Sequence, residues 1–236
     1  MSECLESPFK LRTTCMFIKN YSYERFSSML QEMTPFECEE IYKYKYFPEQ
    51  FATLLSYYEV KKCVENYFSP PSMLYMQKDN FGRPSLKGWS GDISISHTDG
   101  CVLIGVVNQG KIGVDVQKIE YVNKGAEHYF LSEKEKAQFN SLPHDEKTKY
   151  LFTIWTLKEA LLKWLGSGFL EKSPTDISFF LDHSFKEVID IEGMDMVKVK
   201  FKLFSPFDHF QAAVCYNDLS SKVEIPQFEH DYRSIF

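Results

Sequence analysis

The order in which strand-like and helix-like stretches succeed one another constrains this chain most: strand, helix, helix, strands, then helix, helix, strands. Leu11 to Ile18 reads as a strand, and Tyr23–Met33 as a helix that stops before Pro35. Glu37 to Phe47 is ambiguous, because Tyr42-Lys43-Tyr44-Lys45-Tyr46 alternates like a strand behind an acidic run that suits a helix start. Leu54, Leu55, Tyr58 and Val64 recur at helical spacing within Phe51–Tyr67, and Ser69-Pro70-Pro71-Ser72 breaks the chain. After the turn chemistry of Gln77–Pro84 come strands at Ile93–His97 and Cys101–Val107, with Asn108-Gln109-Gly110 leading into Lys111–Val116. Ser132-Glu133-Lys134-Glu135 is a capping box, and a longer helix over Asp145–Leu165 meets its stop at Gly166 and Gly168. Asp176–Leu181, Lys186–Ile191, Met196–Phe204 and Phe210–Tyr216 then alternate like antiparallel strands. This is an α+β pattern in two halves of similar size, 1–108 and 109–217, with a polar, loosely held tail over 218–236. The halves show no sequence repeat.

Composition narrows the partners. Of 236 residues, 44% are apolar and 16% aromatic, ample for a core. No run of 18 apolar residues occurs, and the start of the chain lacks a basic-then-apolar leader pattern, so a cytoplasmic protein with no membrane partner is expected. A net charge of −6 argues against nucleic acid, while leaving room for a few lysines to hold a small anion in one cleft. The six cysteines are scattered without a Cys-x-x-Cys pair and read as reduced, half-buried thiols.

Two segments carry chemistry. Gly113-Val114-Asp115-Val116-Gln117 is a strand whose alternation puts Asp115 and Gln117 on one face. On the long helix, Trp155, Lys158, Glu159, Leu162 and Lys163 lie near one face. A solvated Glu159–Lys163 pair and a strand-ending Asp115 are the bland readings; taken together, two acids and two lysines suit Mg²⁺ and a diphosphate. Ser94 and Ser96 share a strand face opposite His97, so no Ser–His pair is formed by neighbours there. Nucleophile-elbow, Walker-type and dinucleotide-type glycine motifs are absent from the sequence.

Ser96-His97, Gly113-Val114-Asp115-Val116 and Trp155-Thr156-x-Lys158-Glu159-Ala160-x-x-Lys163, in that order, resemble the motif set of the 4′-phosphopantetheinyl transferases. The likeness is nearest to the long single-chain type that activates surfactin synthetase. Gly82-Arg83-Pro84 is similar to that family's Gly-Lys-Pro turn, and Phe51-Ala52-Thr53-Leu54-Leu55 to its early helix. The resemblance implies a pseudo-dimer of two α+β halves with coenzyme A in the cleft between them. It also implies Mg²⁺-dependent transfer of the phosphopantetheine arm to a serine of an apo acyl or peptidyl carrier protein, releasing adenosine 3′,5′-bisphosphate. Asp115, Glu159 and Gln117 would hold the metal, and Glu159, Lys163 and Asp115 would serve catalysis. Thr53, Ser96, His97, Lys158 and Lys163 would meet coenzyme A phosphates, with Gly82, Arg83 and Pro84 along the adenine nucleotide. A monomer would suffice, because the cleft is intramolecular.

The chain departs from the pattern where Gln117 stands in place of a frequent Glu, and where Glu37 and Glu40 replace lysines that grip the 3′-phosphate, leaving Lys43 or Lys45 as substitutes. Those departures motivate an alternative, a relative that binds coenzyme A or a carrier without catalysis. A metal-dependent phosphohydrolase shares the same acid-plus-lysine logic.

Overall fold

The strands that read as continuous apolar runs do so because both of their faces are covered. In a computed structural model, described over residues 9–70, 72–120, 125–166, 173–194, 199–217 and, as backbone alone, 227–235, the chain forms eleven strands and six helices among those residues. Strand β1 (Lys10–Ile18) is followed by helices α1 (Tyr23–Leu30), α2 (Pro35–Tyr42) and α3 (Phe47–Phe68), then by β2 (Tyr75–Lys78), β3 (Pro84–Lys87), β4 (Asp92–Thr98) and β5 (Cys101–Val107). The second half repeats that order with β6 (Ile112–Lys118), α4 (Glu127–Phe130), α5 (Glu133–Ser141), α6 (His144–Leu165), β7 (Ser178–Leu181), β8 (Val188–Glu192), β9 (Val199–Phe204) and β10 (Phe210–Asn217). The strand orders β1-β5-β4 and β6-β10-β9 correspond as well, and both sets of pairings are antiparallel.

Three apolar clusters hold this together. Leu54, Leu55 and Val60 of α3 pack on Ile104 and Val106, and Ile154, Leu157 and Leu161 of α6 pack on Ala213 and Cys215. The third cluster joins the two sheets, with Leu11 and Leu103 on one side and Val114 and Val214 on the other. Each sheet is therefore sandwiched between its own helices and its counterpart, which explains why all of β5 is buried.

A residue-level correspondence hides beneath the unrelated sequences. Thr34 and Ser132 are N-caps, and Glu37 and Glu135 complete their capping boxes. Glu37 then accepts from Lys61 Nζ on α3 at 3.1 Å and from Met76 N on β2 at 2.8 Å. Glu135 accepts from Lys158 Nζ on α6 at 2.5 Å and from Phe179 N on β7 at 2.9 Å. In each half one buried carboxylate ties a short helix, the long helix and the hairpin, and its charge is matched by a lysine.

Several sequence expectations shift. The ambiguous stretch is helical, because Thr34, Pro35 and Glu37 start α2 with a capping box; α3 then opens at Phe47, four residues ahead of the expected Phe51, with Pro48 in its first turn. Gln77–Pro84 is a hairpin rather than turn alone, since β2 and β3 pair on either side of it. Gly166, at φ +87°, is the C-terminal stop of α6; Gly168 lies outside the described residues. Within the expected tail, β11 (Gln227–Ile235) pairs in parallel with β1 and completes a four-stranded sheet in the first half. Its mixed polar composition conceals it in the sequence.

Candidate active site

Gly113 sets the geometry. A Cβ there would stand 2.0 Å from the Ala160 carbonyl oxygen and 2.5 Å from the Trp164 nitrogen, so only glycine lets α6 lie this close to β6. That approach carries Lys163 to Asp115: its Nζ donates to Oδ1 at 2.7 Å. Asp115 is almost fully buried, and its other oxygen, Oδ2, accepts from Gln117 Nε2 at 2.9 Å. The shared face read from the strand alternation is thus realised.

β4 and β6 are the facing edges of their sheets, joined by side chains in place of a backbone ladder. Asp92 Oδ2 accepts from Ile112 N at 2.8 Å, Ser94 Oγ from Val114 N at 3.0 Å, and Ser96 Oγ from Val116 N at 3.3 Å. Ser96 Oγ also donates to Asp115 Oδ1 at 2.8 Å. Arg83 crosses the same seam, donating to Asp92 Oδ2 at 2.5 Å and to the Ile112 carbonyl at 3.0 Å. Asp92 and Ser94 are the site residues that sequence reasoning missed; their two-residue spacing with Ser96 was the available signal.

Above the seam opens a cavity of about 280 Å³. Gly82, Arg83, Pro84, Glu159 and Lys163 line it, together with Ser94. The turn from one half and the helix from the other therefore meet on one space. His97 lies beyond, on the opposite face of β4, with an exposed ring. Its pKa is lowered, first by desolvation from the surrounding protein and then by the Lys163 ammonium, while Glu49 at the start of α3 opposes both.

Two of the expected residues are placed elsewhere, and one has a changed role. Lys158 is 1% exposed and donates to Glu135 and to the carbonyls of Phe130, Pro174 and Ile177, so it is a structural cation and not a phosphate ligand. Its pKa is lowered by burial, with Glu135 pulling the other way. Helical spacing could not distinguish it from Lys163 without knowing where α5 docks. Thr53 is buried on α3 away from the cavity lining, and its Oγ1 has no hydrogen-bond partner among the described residues. Ser96 is committed to Asp115 and Val116. Of the residues standing where lysines are expected, Glu37 is the buried knot described above, and Glu40 is held by Lys43 and Lys78.

Glu159 has its pKa raised by burial first and by the Asp115 charge second, with Lys163 offsetting them. Two carboxylates that feel each other, beside an amide, make a sparse oxygen set. Among the described residues no three His, Cys, Asp or Glu side chains gather as a cage. That donor set fits a hard cation completing its shell with water and phosphate oxygens.

Residues 111–215, which hold β6, α6 and the acid–lysine constellation, match the family model of the 4′-phosphopantetheinyl transferase superfamily. Over those residues the chain is similar to that superfamily. It is similar to the 4′-phosphopantetheinyl transferase psf-1 of Bacillus pumilus, 24% identical over 53% of this chain and 54% of that protein. It is also similar to the transferase ffp of Bacillus subtilis, 28% identical over 49% of this chain and 52% of that one. A third relative is the superfamily's Sfp of Bacillus subtilis strain 168, 24% identical over 61% and 64%. The chain thus spans about half the length of the first curated relatives it matches. Among solved structures, Thermotoga maritima holo-[acyl-carrier-protein] synthase is 24% identical, covering 45% of this chain and 61% of that chain, with a TM-score of 0.38.

Proposed function

We propose that this protein transfers the 4′-phosphopantetheine arm of coenzyme A to a serine hydroxyl of an apo acyl or peptidyl carrier protein, with Mg²⁺. The observation that carries the reading is the convergence of Glu159, Lys163, Gly82 and Arg83 around one cavity at the seam of the two halves, with Asp115 tied to Lys163 at 2.7 Å. The halves, with their repeated element order, act as a pseudo-dimer: the first supplies the nucleotide turn and the second the acid-bearing helix.

Asp115 and Glu159 would hold Mg²⁺, with Gln117 as a neutral third oxygen once its amide turns over. When bound, the metal supplies charge neutralisation at the diphosphate. The serine oxygen attacks the phosphorus bearing the pantetheine arm, and the bond to adenosine 3′,5′-bisphosphate breaks. Lys163 offsets charge on the transferring group. Glu159, lining the cavity beside Lys163, is also the base placed to take the serine proton. Ser96 orients Asp115, and the exposed His97 offers a contact to the 3′-phosphate side. One chain contributes both walls of the cleft, which supports a monomer. No helix among the described residues is long and apolar enough to cross a membrane.

Intact mass of an apo carrier protein after incubation with coenzyme A and Mg²⁺ tests this. A gain of one phosphopantetheine arm, abolished by EDTA, is the expected result; no gain on acyl and peptidyl carriers alike would overturn it. Coenzyme A cleaved steadily without an acceptor would instead identify a hydrolase.

A further inference from the structure

The repeat of elements also repeats a cavity. Between β8 and β9 in the second half lies a space of about 650 Å³, larger than the one at the seam. The seam cavity takes the last three turn residues of its hairpin, Phe81, Gly82 and Arg83, and the first residue of the next strand, Pro84. The second cavity takes the same positions of its own hairpin, which are Phe185, Lys186, Glu187 and Val188.

The turns are built alike. Asp79 Oδ1 accepts from the backbone of Phe81 and Arg83 at 2.8 and 2.9 Å, and Asp79 N donates to Arg83 O at 3.0 Å. Asp182 Oδ1 accepts from the backbone of Lys186 and Glu187 at 2.6 and 2.8 Å, and Asp182 N donates to Glu187 O at 3.0 Å. Each turn carries one left-handed residue, Gly82 at φ +81° and Phe185 at φ +56°. A non-glycine residue at that angle is strained, and here it turns the buried Phe185 ring into the cavity wall.

The linings differ in what covers them. The seam cavity is closed by Glu159 and Lys163 from the other half, whereas the second is lined within the described residues by its own half alone. Phe201, Leu203 and Phe204 of β9 give it a half-buried apolar floor. Lys149, Lys186 and Lys202 give it three cations against the single Glu187. Lys186 and Lys202 are exposed and form no ion pair among the described residues, whereas Lys149 Nζ is bonded to Ser184 O at 3.1 Å. Aromatic walls suit a flat ring, and free ammonium groups suit phosphate. The volume lies in the ~300–1,000 Å³ range of small-molecule sites.

We infer that this cavity is a second, metal-independent site for a phosphate-bearing ligand with a flat aromatic group, the nucleotide class, in the counterpart position of the seam cavity. The choice of ligand class rests on the seam cavity's proposed role in holding a nucleotide. The probe is adenosine diphosphate, titrated calorimetrically in EDTA into the whole protein, into Lys186→Ala/Lys202→Ala and into Lys163→Ala. The unsubstituted protein should bind one equivalent at this cavity in EDTA, beside whatever the seam cavity retains without Mg²⁺. The double lysine variant should lose that equivalent, with affinity there weakened about tenfold or more, and Lys163→Ala should keep it. Both lysines are exposed, so circular dichroism should show the variant folded. An isotherm unchanged by Lys186→Ala/Lys202→Ala, or no binding of the probe at all, would overturn the inference. Carrier modification by mass is the separate readout. An equivalent lost with Lys186 and Lys202 in a protein that never modifies a carrier would sink the transferase reading alone, and binding at a single site that survives Lys186→Ala/Lys202→Ala, with normal transfer, would sink this inference alone.

Discussion

Replacing Gly113 with alanine adds one methyl group where there is no room for it. The new carbon would sit 2.0 Å from the Ala160 oxygen, about 1.4 Å inside ordinary contact at 3.4 Å. The atoms it meets are helix backbone, so α6 must move off β6, and Glu159 and Lys163 move with it. The 2.7 Å contact from Lys163 to Asp115 cannot survive a shift of that size unaltered. Overpacking of this kind costs about 1–3 kcal/mol, and a chain of this length loses about 2–4 °C of Tm per kcal/mol. Misplacing catalytic groups by ~1 Å costs roughly 100-fold in rate. The expected variant is therefore folded by near-ultraviolet circular dichroism, melts a few degrees lower, and modifies a carrier about 100-fold more slowly in a mass-resolved time course. Wild-type turnover with an unchanged Tm would show that the contact of α6 with β6 does not set the site, and the reasoning would fail.

Asp115→Asn should lower Mg²⁺-dependent transfer by about 100-fold or more without lowering Tm comparably; equal losses in both would make Asp115 a structural residue. Lys158→Met strands the buried Glu135 charge and should cost about 3–5 kcal/mol in chemical denaturation, with Lys158→Met/Glu135→Gln recovering part of the loss. A mild effect of the single variant would contradict the knot. His97 takes up its proton at lower pH in the folded protein than in the unfolded chain, so its share of stability is present above about pH 6.5 and drains as pH falls through the folded value. An NMR titration should find its midpoint below 6.5, and His97→Asn should flatten the acid limb of the stability curve; a midpoint above 6.5 would reverse the sign.

The pattern of strands and helices reveals the two halves because each element has one periodicity and clear stop signals, as at Ser132 and Gly166. Asp115, Glu159 and Lys163 are legible for the same reason, since residue types and spacing place them on a strand face and a helix face. Lys158 was misplaced because four acceptors that surround it come from α4, α5 and the segment before β7, and helical spacing carries no record of them. Gly113 looked like part of a motif, while its physical reason, a helix backbone within contact distance, lies across the fold. The knot of Glu37 with Lys61 was invisible too. Two halves with no detectable repeat preserve a carboxylate, a lysine and a strand amide in matching places, since geometry constrains those three atoms and leaves their neighbours open.

The seam between β4 and β6 has a bearing on how such a cleft can change. Backbone ladders are common property of any sequence and cannot be altered one rung at a time. Here the rungs are Asp92, Ser94 and Ser96, each a separately encoded side chain that occupies one amide of β6. A single codon change can lengthen, shorten or remove one rung and so tilt one wall of the cleft against the other. The hydrogen bonding inside each sheet stays untouched. The joint that positions Asp115 is thus also the part of the molecule through which the width of the cleft can be tuned by point substitution, a handle for natural divergence and for engineering alike.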